Sequence, residues 1–341
     1  MEMAAAAAGA AAALAMVPSV VPAAVLAVLL AALAAAAAAA LAGAYYFSER
    51  LLRNKVRDDR DIAARELENG LISRERLESL AAHRIELRSP AGYRLRAFFV
   101  PADGGETRRT VVFAHGVTSS LTGMLKYAEL FLRRGFNALL YDHRRHGESE
   151  GEWTSYGYYE KDDLKAAVDW VCRRHGADAV VGVFGESMGA ATVLEFAAAD
   201  GRPAFVVSDC AFSDLGDQLA YLLRVEYRLP RVPLLALTSL WCRLRAGFYI
   251  RDVSPRRAAA RIRAPLLIVH GLADDYVLPE MARELYEHAA APVKELCLVP
   301  GAAHAGSLAA DRAAYERRLD EFLAKAGVGS PLRESAPPAR G

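Results

Sequence analysis

The stretch Val180-Val-Gly-Val-Phe-Gly-Glu-Ser-Met-Gly-Ala-Ala-Thr-Val-Leu-Glu-Phe196 constrains this chain more than any other. It joins a β-branched apolar run, a serine between two glycines, and an Ala-rich amphipathic pattern, so it reads as a strand, a turn and a helix. Gly185-Glu-Ser-Met-Gly189 fits G-x-S-x-G, a strand-to-helix turn tight enough to lift a serine hydroxyl clear of a sheet. A Cβ at either glycine would collide with the neighbouring strand or helix, and the serine itself is expected to sit in a strained backbone conformation. Ser187 is therefore the candidate nucleophile.

The 341 residues, 53% of them hydrophobic, suffice for one large core with about fifty residues to spare at the N-terminus. Lys and Arg number 42 against 41 Asp and Glu, so no broad basic face is implied, which argues against nucleic acid as a partner. Cys172, Cys210, Cys242 and Cys297 lie far apart in apolar segments with no C-x-x-C pair, which favours buried thiols over a disulfide framework.

Residues 14–47 carry no charge and end in Tyr45-Tyr-Phe47. About twenty apolar residues cross a bilayer core and aromatics suit its headgroup boundary, so a single membrane span is expected between Val20 and Phe47. A cleaved secretory signal is the rival reading, but no basic residue precedes the apolar run. Arg50, Arg53, Lys55, Arg57 and Arg60 follow the span, which favours a cytoplasmic catalytic domain, with the extracytoplasmic orientation as the alternative. The expected organisation is an anchor over 1–48, a charged helical stalk over 49–83, a catalytic domain over 84–327 and a disordered tail over 328–341.

Within 84–327, an edge hairpin around Pro90-Ala-Gly92 is followed by apolar strands near 110–116, 137–142, 180–184, 204–207, 266–270 and 295–299, with helical patterns between several of them. That alternation predicts an α/β fold, a doubly wound and mostly parallel sheet whose sites lie beyond the carboxyl ends of its strands. Residues 212–255 interrupt the alternation and read as a helical cap over the site.

A serine hydroxyl needs a base to accept its proton and a carboxylate to orient that base. In elbow enzymes the chain order is Ser, acid, His. Asp274 and Asp275 compete for the acid after strand 266–270; the spacing from Gly271 selects Asp274 and leaves Asp275 to solvent or a helix cap. His304, in Gly301-Ala-Ala-His after the last strand, is the expected base. The N–H groups of Met188 and of Val117, in the loop after strand 110–116, are the expected oxyanion donors. His115 is read as ordering that loop by hydrogen bonding. Glu186 either touches substrate or pairs with a nearby base.

Asp142-His-Arg-Arg-His-Gly-Glu148 matches no metal-ligand spacing and reads as a turn held by Asp142 and Arg144. Gly182 and Gly185 do not complete G-x-G-x-x-G. No cofactor and no metal are expected.

Taken together, His115-Gly-Val-Thr-Ser, Lys126-Tyr-Ala-Glu-Leu-Phe, Tyr141-Asp-His-Arg-Arg-His-Gly-Glu-Ser, Thr154-Ser-Tyr-Gly-Tyr-Tyr-Glu-Lys-Asp-Asp-Leu, Gly185-Glu-Ser-Met-Gly-Ala and Gly301-Ala-Ala-His resemble the α/β-hydrolase superfamily. The chain is similar within it to membrane-anchored bacterial hydrolases related to the serine aminopeptidases. The resemblance implies the α/β-hydrolase fold, with nucleophile, acid and base at Ser187, Asp274 and His304 and oxyanion donors at Val117 and Met188. One departure is Val277-Leu-Pro279, where such families often have Val-Pro. The expectation is a membrane-tethered serine hydrolase acting on a small-molecule or lipid-like acyl ester. Its alternatives are peptide cleavage, thioester hydrolysis or acyl transfer by the same triad, and a non-enzymatic membrane adaptor.

Overall fold

The structure, a computed structural model, describes residues 22–329. A long helix α1 (Ala23–Leu52) leads into two short helices, α2 (Asp59–Glu68) and α3 (Arg74–Ser79). Strands β1 (Arg84–Arg88), β2 (Arg94–Val100) and β3 (Arg109–Ala114) follow, then α4 (Leu125–Leu132), β4 (Asn137–Tyr141), α5 (Glu160–His175), β5 (Val180–Glu186) and α6 (Met188–Ala197). After β6 (Phe205–Asp209) come α7 (Leu215–Tyr227), α8 (Leu234–Ala246) and α9 (Pro255–Ala259). The chain closes with β7 (Leu266–Gly271), α10 (Pro279–His288), β8 (Lys294–Val299), α11 (Ser307–Ala310) and α12 (Arg312–Lys325).

The eight strands form one sheet in the order β1-β2-β4-β3-β5-β6-β7-β8, antiparallel through β1, β2 and β4 and parallel from there on. Its central strands are apolar on both faces, as strands covered twice must be. Along β3, Val111 and Phe113 point into one core layer while Val112 and Ala114 point into the other; β6 and β7 divide in the same way. Helices α4 and α12 close the first layer, and α5, α6 and α10 close the second. This is the α/β-hydrolase fold, with β1 and β2 forming the edge hairpin.

Pro22 precedes α1, whose thirty residues rise about 45 Å against a hydrocarbon core of about 30 Å. It is the one helix among the described residues long and apolar enough to cross a membrane, and none of its most apolar stretch is buried. Val20 and Val21, where the expected span opens, lie outside the described residues, as do 330–341 of the expected tail. Val328, also assigned to that tail, is instead held: its N–H donates to the Leu323 carbonyl at 3.0 Å and its side chain packs on the core.

The free-standing stalk expected over 49–83 is not what forms. Helices α2 and α3 are there, capped by Asp58 and Ser73, but the segment is wired onto the domain. The Arg57 N–H donates to the Thr118 carbonyl at 3.0 Å, the Ser73 N–H to Glu129 Oε1 at 3.1 Å, and Asp59 takes Arg96 and Ser120. Ile62 is buried, and Leu71, Ile72 and Leu80 belong to the first core layer. The reason is that both kinds of side chain find partners on the domain: the few apolar residues join its core, and Asp59 and Glu66 meet its basic groups. A domain boundary at 84 would cut through this core.

Burying Leu80 therefore stabilises the whole domain. Leu80→Ala is expected to lower unfolding free energy by about 2–5 kcal/mol in chemical denaturation, the usual cost of a leucine-sized cavity. An unchanged midpoint would mean that the segment adds nothing to the core.

Candidate active site

Strand β5 hands over to α6 through Ser187 alone, whose backbone lies at φ 55° and ψ −116°. A non-glycine residue in that region is strained and persists only where its surroundings force it. The forcing contacts are close ones. A Cβ at Gly189 would lie 1.9 Å from the Ala114 carbonyl oxygen at the end of β3, and one at Gly185 would lie 2.2 Å from the Gly189 oxygen. The Ser187 N–H donates to the Asp209 carbonyl at 2.8 Å, tying the turn to β6.

Three loops beyond the carboxyl ends of the strands converge on this serine. Its Oγ lies 2.9 Å from His304 Nε2, and His304 Nδ1 lies 2.7 Å from Asp274 Oδ2. The other oxygen of Asp274 accepts the N–H groups of Tyr276 at 3.0 Å and Val277 at 2.9 Å, which fixes the carboxylate despite the longer Val277-Leu-Pro279 loop. His270 adds a contact of 3.2 Å from its Nε2. Burial alone would raise the Asp274 carboxyl, but hydrogen bonds from His270 and His304, the His304 charge and the Val277 N–H outweigh it and hold the group below the usual carboxylate range. Asp275 is exposed to solvent.

Val117 and Met188 line the same cavity as Ser187. Among the described residues, neither N–H donates to a main-chain acceptor. The Met188 N–H opens α6, where unpaired donors favour negative charge. The loop carrying Val117 is shaped by Thr118 at φ 68° and by His115, whose Nδ1 meets the Gly116 carbonyl at 2.8 Å and whose Nε2 accepts the His143 N–H at 3.0 Å.

Beneath the turn lies a buried charge cluster that motif reading leaves without a role. Lys126 Nζ is 2.8 Å from Glu186 Oε2 and 3.7 Å from Glu66 Oε1. Burial depresses the Lys126 ammonium, and the two carboxylates more than offset that. Glu186 thus pairs with a base, as one of its two readings had it. Asp209 meets the hydroxyls of Tyr127, Tyr315 and Ser307 at 3.0–3.2 Å, and burial together with the Glu186 charge pushes it up to about 6. The second oxygen of Glu66, in a residue only 7% exposed, has no hydrogen-bond partner.

Ser187 stands between two cavities. One, of about 250 Å³, is walled mainly by apolar side chains of α7 and α8 and by Phe47 and Leu51 of α1. The other, of about 660 Å³, is ionic, with Arg57, Asp61, Arg65 and Glu66 on one side and Lys126 and His304 on the other. Both cavities need residues of the segment before 84, which no motif in the sequence points to.

The Asp142 turn is held, but its two anchors reach in different directions. Asp142 accepts the Leu121 N–H at 2.8 Å, whereas Arg144 reaches Asp163 at 2.8 Å and the Tyr159 carbonyl at 3.0 Å. Burial raises Asp142 to about 7 against the Leu121 N–H and Arg96. His115, His143 and His146 pack as neighbouring rings, and burial lowers the pKa of all three. No group of His, Cys, Asp and Glu among the described residues converges as a metal site, and all four cysteines are free thiols.

The family profile "Serine aminopeptidase, S33" matches residues 105–229 and 250–307. The chain is 40% identical over 280 residues to the Bacillus subtilis protein YqkD, covering 81% of this chain and 90% of that one. It is 27% identical over 263 residues to Escherichia coli YfhR, covering 72% and 82%. Among solved structures it is similar to the Pyrococcus furiosus esterase Pf2001, with a TM-score of 0.59 and 25% identity over 71% of this chain and 90% of that one. The matched residues enclose the turn at Ser187 and the loops carrying Val117 and His304, and on that basis the chain belongs to the serine aminopeptidase family of α/β-hydrolases.

Proposed function

We propose that this hydrolase cleaves carboxylic esters through an acyl-enzyme, with Ser187 as nucleophile, His304 as base and Asp274 as the group that orients the base. The observation that carries this reading is the relay of 2.9 Å and 2.7 Å from the serine hydroxyl through imidazole to a buried carboxylate. Ser187 Oγ attacks the ester carbonyl carbon while His304 Nε2 takes the hydroxyl proton. The tetrahedral oxyanion accepts the N–H groups of Val117 and Met188, donors of a kind worth about 3 kcal/mol each. Collapse expels the alcohol, protonated by His304. Water, deprotonated by the same imidazole, then releases the acid and restores the serine.

Asp274 stabilises the imidazolium formed on the way and does not itself take up the proton. The apolar cavity suits an acyl chain, the ionic one a polar leaving group, and the likeness to an esterase supports an ester as the bond between them. The same reading has α1 anchoring the protein in the membrane, and the basic residues after it support a cytoplasmic catalytic domain. Amide cleavage is the second reading, favoured by one observation: the Glu66 and Asp61 carboxylates line the ionic cavity beside Ser187, where a substrate amine would find negative charge.

Wild-type protein is expected to react with a fluorophosphonate probe and to hydrolyse p-nitrophenyl acyl esters, and Ser187→Ala to do neither; equal rates for the two would remove the mechanism. Asp274→Asn is expected to cut kcat by roughly 10⁴ while the protein stays folded. Because the native Asp274 pKa lies below the unfolded one, its stabilising contribution is complete above about pH 4 and is lost as the pH falls toward the native value. The Tm gap between wild type and Asp274→Asn should therefore be widest near neutrality and close in acid. A gap that grew on acidification would contradict the assignment.

A further inference from the structure

Helix α1 does two things along one axis. Its first two-thirds are apolar and exposed, yet Phe47, Arg50 and Leu51, spaced to share a face, form part of the apolar cavity wall beside Ser187. At about 1.5 Å per residue, Leu51 stands only roughly 12 Å beyond Gly43. The wall of the cavity is therefore a direct continuation of the membrane-length helix.

Helix α8 runs beside α1 in the same direction. Leu234 sits against Gly43, Trp241 packs edge-on to Tyr45 at 5.4 Å, and Arg245 donates to Ser48 at 2.9 Å. The loop before α8, residues 228–233, accordingly lies on the side where α1 is bare. That loop exposes 38% of Leu229 and 72% of Val232, and α8 exposes 45% of Leu240. Arg228, Arg231 and Arg243, all exposed, lie in the same stretch, and no acid occurs from 228 to 246. Exposed apolar side chains set among arginines, continuous with a helix of membrane length, match the headgroup layer of a bilayer, where guanidinium groups meet phosphates.

We propose that the apolar cavity is filled sideways from the bilayer: the 228–233 loop and the outer face of α8 sit in the headgroup layer, and the substrate is a membrane-dissolved long-chain acyl ester whose chain slides past Phe47 and Leu51 to Ser187. This rests on the ester reading and specifies its substrate. A water-soluble short-chain ester reaches Ser187 without the loop; a lipid does not.

The test uses the full chain in nanodiscs of phosphatidylcholine and phosphatidylglycerol, with Leu229→Asp and Val232→Asp, neither of which lines the cavity. Hydrolysis of a bilayer-dissolved fluorogenic long-chain ester is expected to fall at least about ten-fold, while a short-chain p-nitrophenyl ester is turned over within about two-fold of wild type. Equal effects on the two substrates, or none, overturn the proposal. Wild type active only on the short ester overturns it and spares the ester reading, whereas wild type active on neither removes both. Independently of activity, Val232→Trp should add blue-shifted emission that brominated lipids quench. Red-shifted emission would place the residue in water, and blue emission without quenching would place a second copy of the chain over it; either result overturns the proposal.

Discussion

The close approach of Gly189 to the Ala114 carbonyl is the contact on which the rest of the site depends. It lets α6 start directly above β3, and this leaves Ser187 no conformation but a strained one, with its hydroxyl directed out of the sheet. Because β3 is the strand so approached, the loop that follows it, carrying Val117, falls beside the serine. Strain at one residue thus brings the Ser187 hydroxyl beside the loop of Val117 and the first N–H of α6. The fully buried double layer of apolar side chains around β3, β5 and β6 over-determines that conformation and sustains it.

Charge is arranged around the serine in two tiers. In the upper one, hydrogen-bonding groups of His270, Tyr276, Val277 and His304 hold the Asp274 carboxyl below the usual carboxylate range, so at neutral pH His304, set between it and the serine, has an anion at its back. Below it, burial and the neighbouring Glu186 charge raise Asp209, while Lys126 and Tyr127 contact Glu186 and the hydroxyls of Tyr127 and Tyr315 donate to Asp209. The lower tier touches no reacting atom; it holds the turn rigid from beneath through the Asp209 carbonyl and side chain. Separation of these tiers explains how three carboxylates can lie near Ser187 with only one of them aligned on His304.

The two cavities give the site a polarity along the bond to be cut. Apolar side chains of α1, α7 and α8 stand on one side of Ser187, and paired charges of α2 and β5 on the other. An amphiphile with an ester between its halves matches that division better than a uniformly polar or uniformly apolar molecule. Both halves borrow residues from before position 84, so the N-terminal segment shapes the site.

Local pattern alone determined the alternating strands and helices, the turn at Gly185–Gly189, and the chain order Ser187, Asp274, His304, because each is a matter of hydrophobic period, glycine sterics or spacing from a strand end. The choice of Asp274 over Asp275 also came from spacing, and the structure puts only the former on His304. What the tertiary structure decided was everything that depends on residues meeting across the chain. Leu71, Ile72 and Leu80 look like accidents in a charged stretch until the sheet offers them a face. Lys126 has nothing in the sequence to set it apart from the other five lysines until β5 brings Glu186 within 2.8 Å of it. Phe47 and Leu51 read only as the end of a membrane helix until α8 lines up beside them. Periodicity reports which face of an element is apolar, but it carries no information about which partner that face will find, and both the cavities and the buried ion pairs are made entirely of such pairings.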